Sequence, residues 1–310
     1  MVKFEGALAL VVCALGWSLA GIFIKYADVN SFALAGFRSI IAFITIVCFL
    51  KRFPRFAVRN HDDSINRKRT AYLWISGLTY ALTMILFCIA NKLTYSANAV
   101  LLQYTFPIWV ISFGPFLLGE KNRKADYLTI AGVIAGMILF FADSLFGQSS
   151  GEFAQTEVAG NVFALASGVA FGMTTLFQRK LQVSADEKSN NGKNGNYSGD
   201  AFMIAQVFTA VAGLPFVFLL PDGIPDFKSL IFLILLGTLQ MGIPNICYAV
   251  GIKKVRALSA SLITMLEPLM NPVWVLIFYQ EIPSLSCIAG GILIMGCVVF
   301  REVAGAKSAL

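Results

Sequence analysis

Apolar residues in this chain gather into ten long runs separated by short polar stretches. The runs cover about 5–24, 32–50, 72–91, 97–118, 127–143, 158–177, 201–220, 229–250, 258–278 and 284–300. A helix of about 20 apolar residues spans a bilayer core of roughly 30 Å. Runs this long, apolar on every side, predict an all-α integral membrane protein with ten transmembrane helices. The polar remainder is too short for a soluble domain. Residues 144–157 read as an outer loop, and residues 182–200 (QVSADEKSNNGKNGNYSGD) as a flexible insertion.

The second half repeats the first. Gly77 matches Gly237, and Pro107 and Glu120 match Pro268 and Glu281, both 161 positions later. LTIAGVIAGMILFF runs alongside SCIAGGILIMGCVVF. Five spans per copy is an odd number, so the second copy enters the membrane from the opposite side. The pattern predicts two inverted five-helix repeats, 1–150 and 151–310, an architecture common among secondary transporters. Ser18-Leu19-Ala20 has the look of a signal-peptide cleavage site. Residues 6–25, however, align with 160–179, and Trp17 stands opposite Phe171. The partner cannot be a signal, so the first span is read as retained.

Composition and charge agree with a membrane chain. Of 310 residues, 57% are hydrophobic and 13% charged, with a mean hydropathy of +0.75. Soluble domains hold roughly 45–50% apolar and about 25% charged residues. The net charge of +7 is not read as a nucleic-acid footprint, because its distribution follows the positive-inside rule. With a cytoplasmic N-terminus, the inner segments carry nearly all the Lys and Arg. The clusters are Lys51, Arg52, Arg55, Arg59, Arg67, Lys68 and Arg69; Lys121, Arg123 and Lys124; and Lys253, Lys254 and Arg256. The outer loops carry only Lys25, Lys92 and Lys228. Equivalent loops of the two copies have opposite bias, as inversion requires. The expected location is a multi-pass plasma (cell inner) membrane, both termini cytoplasmic. The basic stretch 51–70 reads as a topology signal or as a segment lying on anionic lipid.

The missing residues narrow the chemistry. There is no GxxxxGK[ST] loop for nucleotide hydrolysis. The only histidine, His61, lies in a polar stretch, so no span can hold a Ser–His dyad or an HExxH zinc site. No potassium-type filter appears. The expectation is therefore not an enzyme, with no cofactor, no metal and no nucleic acid. The six cysteines all fall in spans without a CxxC pair and read as packing residues. Gly132-xxx-Gly136, Gly168-xxx-Gly172 and Gly290, Gly291 and Gly296 mark close helix contacts. A homodimer through the fifth and tenth spans is a second use of the same glycines.

Glu267 is the residue of greatest weight. It falls near mid-span in the ninth run, where a charge costs roughly 2.5–3.5 kcal/mol to insert. That cost favours an interior position, a partner, or a protonated state suited to carrying a proton. Pro268 and Pro272 free backbone carbonyls beside it. Asn271 and Trp274 share its helical face. Gln103 and Tyr104 precede Pro107, Tyr80 lies in the third run, and Gln240, Asn245 and Tyr248 in the eighth. An α-helical spacing aligns Met241, Pro244, Asn245 and Tyr248 on one stripe. Trp17 stands beside Ser18 in the first run. Arg38 is the one cation inside a span, about 9 Å from its outer end. It can snorkel outward, cap carbonyls or meet an anionic group. For Glu267 and the aromatics, helix ties and core packing remain the alternative.

LEPLMNPVWVLIFYQEIPSLSCIAGGILIMGCVVF (266–300) resembles the second-repeat signature of the EamA family, within the drug/metabolite transporter superfamily. YTFPIWVISFGPFLLGE (104–120) resembles the first-repeat counterpart, and FRSIIAF (37–43) the second-span Arg motif. Gln280 departs from the Gly that often precedes the Glu, and the 182–200 insertion is long. The resemblance implies ten spans in two inverted repeats around a central cavity, alternating access, and peripheral fifth and tenth spans. It also implies export of amino acids or other metabolites, or exchange of sugar phosphates or nucleotide sugars. Few interior charges among several aromatics fit a zwitterionic or aromatic solute better than a polyphosphate.

The expectation is a secondary transporter, an exporter of a small organic metabolite such as an amino acid. Glu267 would sense a substrate amine or carry a proton. Gln103, Tyr104, Asn245, Tyr248, Trp274 and Asn271 would contact substrate, with Trp17 and Tyr80 lining the cavity and Arg38 meeting an anionic group. An uncoupled facilitator or exchanger keeps the fold without the proton. A non-transporting membrane partner or receptor subunit is the remaining rival. Substrate, flux direction, coupling ion and oligomeric state are not written in the sequence.

Overall fold

The computed structural model describes residues 2–19, 23, 26–59, 64–94, 96–119, 122–140, 142, 156–186, 197–219, 223–279 and 285–307. His61, Glu120, Glu281, Asn196 and most of both polar loops lie outside them. The first half contributes α1 (Val2–Trp17), α2 (Ser31–Leu50), α3 (Arg67–Leu93), α4 (Ser96–Gln103), α5 (Phe106–Leu118) and α6 (Lys124–Phe140). The second contributes α7 (Glu157–Asp186), α8 (Tyr197–Gly213), α9 (Phe216–Leu219) and α10 (Phe227–Leu235). A π-helical segment (Leu236–Gly242) follows, then α11 (Ile243–Lys254), α12 (Ala257–Thr264), α13 (Leu266–Tyr279) and α14 (Leu285–Lys307). The only β pairing among the described residues is an isolated bridge, Arg59 with Ile65. The protein is all-helical.

Among the described residues, five stretches are long and apolar enough to cross a membrane: Phe32–Leu50, Arg67–Phe87, Val158–Gln182, Tyr197–Leu219 and Phe227–Lys254. Shorter apolar helices cover Glu5–Trp17, Phe106–Leu118, Ala257–Met270 and Ile288–Phe300. Outward-facing Leu, Ile, Val and Phe residues, such as Phe116, Phe218 and Ile292, are exposed. In water such a surface would be a large liability, whereas in lipid it costs nothing.

Helix contacts obey an exchange of the two halves. Let α1 correspond to α7, α2 to α8, α3 to α10–α11, α4–α5 to α12–α13, and α6 to α14. The α3–α7 packing then maps onto α11–α1, α4–α7 onto α12–α1, and α5–α7 onto α13–α1. The α3–α8 packing maps onto the π segment against α2, while α2–α8 and α6–α14 map onto themselves. Single residues follow the same rule. Gly160 presses on Leu93 and Thr94, and its counterpart Gly6 on Lys254 and Val255. Asn66 caps α3 by accepting from Arg69 N, and 160 positions on Asp226 caps α10 by accepting from Ser229 N. These hydrogen bonds, side chain and backbone, hold the Asp226 carboxyl below its ordinary range.

The chain breaks at two equivalent places where the sequence predicts unbroken spans, and the run 201–220 is also divided, between α8 and α9 at Leu214-Pro215. The run 97–118 divides between α4 and α5, and 258–278 between α12 and α13. In both, an i→i+3 bond replaces the helical ladder, Thr105 N to Leu102 O at 3.3 Å and Met265 N to Leu262 O at 3.2 Å. Pro107 and Pro268 follow immediately. Each lacks an N–H and clashes with the carbonyl four residues back, so the helix must restart. A further irregularity is the π segment ahead of Pro244, where Ile243 N reaches Thr238 O. It shifts the register assumed for Met241 through Tyr248, so the α-helical stripe read from the sequence does not hold across Gly242.

Charged groups close helix ends. Arg179 donates to Ile252 O (3.2 Å) and Lys253 O (2.6 Å), and Lys180 donates to Leu117 O. Both satisfy carbonyls left open at helix C-termini. Within the 51–70 stretch, Arg52 and Arg55 turn inward onto Asp200, which is fully buried at the start of α8. Arg55 also donates its backbone N–H to Asp200 (3.0 Å) and lies over the Tyr197 ring at 4.1 Å. These two cations are therefore committed to protein, not to lipid.

Candidate functional site

A cavity of about 80 Å3 opens between the two halves. Its wall comprises Trp17 (α1), Arg38 (α2), Tyr80, Met84 and Phe87 (α3), Gln103 and Tyr104 (α4 and the break), and Phe171 (α7). Gln240 and Met241, from the π segment, and Glu267, from the first turn of α13, complete it. Both helix breaks therefore face the same space. The chain interruptions place Tyr104 and Glu267 there, since a continuous helix would direct those positions differently.

Glu267 is half-buried. Its carboxyl lies beside the Tyr104 hydroxyl and within electrostatic reach of Arg38. Arg38 is buried, and among the described residues its Nε has no hydrogen-bond partner. Its Nη2 points to Met84 Sδ at 3.7 Å, a weak acceptor for a full charge. Gln103 Nε2 donates to Ser167 Oγ (3.1 Å), which donates to Thr83 O (3.0 Å), so α4, α7 and α3 are tied at one point. Gln240 Nε2 reaches Trp17 O at 3.5 Å, and its Oε1 lacks a partner among the described residues.

Six of the ten residues expected at the site line the cavity: Glu267, Gln103, Tyr104, Trp17, Tyr80 and Arg38. Asn245 and Tyr248 stand behind the wall. Asn245 Oδ1 accepts from Trp17 Nε1 (3.3 Å) and from the Tyr80 hydroxyl (3.2 Å), so it orients both rings from the rear. Tyr248 stacks on Trp17 with centroids 5.5 Å apart and donates to Thr175 Oγ1 at 2.8 Å. Trp274 donates to Ser18 Oγ at 2.8 Å, tying α13 to the end of α1. The Asn271 side chain lies outside what the structure describes.

The remaining lining residues stood outside the expected set. Phe171 carried a signal, its correspondence to Trp17, and the two rings meet near the exchange axis at 5.9 Å. Gln240 and Met241 enter the wall through the π turn, which a 3.6-residue spacing conceals. Met84 and Phe87 look in the sequence like any other lipid-facing positions.

The EamA-like transporter family signature matches residues 4–142 and 158–301, one copy in each half. The chain belongs to the EamA-like transporter family. Among curated relatives, an uncharacterized transporter of Clostridium kluyveri is 24% identical over 74% of this chain and 71% of its own. The mouse solute carrier family 35 member G1 is 21% identical over 97% of this chain and 80% of its own. The pseudopaline exporter CntI of Pseudomonas aeruginosa is 21% identical over 96% of both chains. One solved crystal structure covers 97% of this chain and 98% of that chain, with a TM-score of 0.74 and 18% identity. It shares the fold. The protein is thus a membrane transporter of the EamA-like family, and the helix breaks and cavity are features of this chain within it.

Proposed function

We propose that this EamA-like protein is a secondary transporter that exports a small organic metabolite by alternating access. The observation that carries the reading is the meeting of two equivalent helix breaks, ahead of Pro107 and Pro268, at one polar cavity between the halves. Discontinuous helices at a repeat interface are a recurring way to build a mid-membrane binding site. The ten apolar runs, taken as ten spans in two inverted repeats, let one half rock against the other around this site. Export is supported by the Pseudomonas aeruginosa relative, a pseudopaline exporter. Glu267 meets a substrate amine or carries a proton. Tyr104, Gln103, Tyr80 and Trp17 contact the solute, and Asn245, Tyr248 and Trp274 hold that wall in place.

The test is flux from proteoliposomes loaded with a labelled metabolite panel, with and without a pH gradient. Saturable flux of at least one solute, accelerated by the gradient in wild type but not in Glu267→Gln, is the expected result. Flux that ignores both gradient and substitution makes the protein a facilitator. Absence of flux for every solute overturns transport.

A further inference from the structure

We infer that a second polar station, built on Gln178 of α7, lies between the central cavity and the inner face, and that the bonds to Asp200 latch its mouth. It takes uncharged hydrogen-bonding groups, from water or from a passing solute. This rests on the transport reading and adds to it the inner half of the route.

One face of α7 carries the argument. Phe171, Thr175, Gln178 and Gln182 follow one another at helical spacing, and all four are buried. Phe171 lines the cavity, Thr175 accepts from the Tyr248 hydroxyl at 2.8 Å, and Gln182 donates to Ser198 Oγ at 2.6 Å. The stripe therefore runs from the cavity to the start of α8. Between its bonded ends, Gln178 is wholly buried, and among the described residues neither its Oε1 nor its Nε2 has a partner. The antiparallel register of α3 and α7 sets Thr174 on Thr79 (2.9 Å) and so brings Gln178 level with Ser76. The Ser76 hydroxyl is likewise buried without a partner among the described residues. Gln206 of α8, with both amide atoms in the same condition, sits one turn from Phe202, whose ring meets Tyr80 (4.8 Å) and Tyr248 (5.7 Å). An amide sealed from water without bonds is costly, so these groups call for partners that the helices do not supply. Gln178, Gln206 and Ser76 are all neutral and offer both donors and acceptors, which suits water, hydroxyl, amide or carbonyl groups.

The mouth of this track is closed by charge. Asp200, two residues after Ser198, accepts from both Nη atoms of Arg52 and from Arg55 Nε (3.1 Å), Nη2 (2.8 Å) and backbone N (3.0 Å). Both arginines follow α2, so these bonds tie the end of α2 to the start of α8. Exchange of the halves turns this tie into one between the start of α2 and the stretch after α8. There Asn30 Nδ2 donates to Phe216 O at 3.3 Å, and Phe32 stacks on Phe216 at 4.5 Å. One end of the bundle is thus held by a buried charge cluster and the equivalent place at the other by a neutral hydrogen bond. Charge-assisted bonds are the stronger kind. The cavity accordingly reaches away from the Asp200 end, along Met84 and Phe87 beyond Tyr80.

The experiment places Gln178→Cys in a full-length chain with its native cysteines replaced, in membrane vesicles, and times its reaction with an impermeant methanethiosulfonate added from the face that carries residues 51–55. With the latch intact the reaction is expected to be slow. Arg55→Gln, which leaves Arg52 on Asp200, should speed it at least about tenfold, the size of one weakened charge-assisted hydrogen bond. Arg52→Gln should act in the same direction. Leu176→Cys is the control, equally buried but turned toward Gly114 of α5, and should stay unreactive in every background. In the Arg55→Gln background, a solute carried in the flux test that slows labelling at 178 makes that solute the occupant, and unchanged labelling makes water the occupant. Equal acceleration at 176 and 178 means general loosening and overturns the assignment. So does a position 178 that stays closed under both substitutions, and if flux persists in those variants, this inference falls while the transport reading stands.

Discussion

Asn245 shows at the residue scale how a buried amide shapes a cavity it does not line. Its oxygen serves two donors, Trp17 Nε1 and the Tyr80 hydroxyl. Removing the acceptor strands both, whereas removing one donor strands nothing. Asn245→Ala should therefore lower stability in detergent by about 1–3 kcal/mol, and Tyr80→Phe by about 0.5–1.5 kcal/mol, read from thermal unfolding. Equal costs would contradict this bonding scheme. The residue types of this wall were legible from the sequence because polar side chains inside apolar runs are conspicuous. What each one touches was not. Asn245 and Tyr248 read as substrate contacts and stand in the second row, because burial depth depends on packing between helices far apart in the chain. Met84 and Phe87 gave no polar signal at all.

The elements that matter most are those that depart from regular geometry. Pro107 and Pro268 announced weak points, and the structure turns both into full breaks, while the π segment ahead of Pro244 was invisible to a fixed helical period. Small residues are equally specific in their use. Gly136 and Gly290 sit in the α6–α14 seam, where a methyl on Gly290 would strike the Phe140 backbone, whereas Gly296 has nothing within 4 Å. Gly290→Ala should cost about 1–3 kcal/mol in thermal unfolding, and Gly296→Ala should leave the melting point unchanged. Gly136 and Gly290 thus serve a seam within the chain. A homodimer would use the outer faces of α6 and α14. At the other end of the bundle, Asp200 accepts from Arg52 and Arg55 while wholly buried. Asp200→Asn removes the negative charge that both cations face and should cost about 3–5 kcal/mol. The exposed Glu5–Lys254 pair offers the contrast, and Glu5→Gln should not move the melting point.

On the scale of the whole molecule, the duplicated pattern was the most legible feature and the one with most consequence. Matching glycines and prolines at a near-constant spacing anticipated helix packings that map onto one another under exchange of the halves. The sequence could not show that the halves enclose a space with Arg38 and Glu267 on its wall, since that depends on how far the helices stand apart. The loops at 143–155 and 187–196 lie outside the described residues, so the expected cytoplasmic side of 182–200 rests on charge bias. Thiols placed at 185–195 should resist an impermeant reagent added from outside. The central claim is that this cavity is the place where a solute crosses. Its most direct test is Met84→Cys in a chain with its native cysteines replaced, labelled by an impermeant thiol reagent from each face of the membrane. Alternating access predicts that position 84 reacts from both faces, and that a transported solute shifts the balance between them. Reaction from one face only under every condition, or from neither, would contradict it.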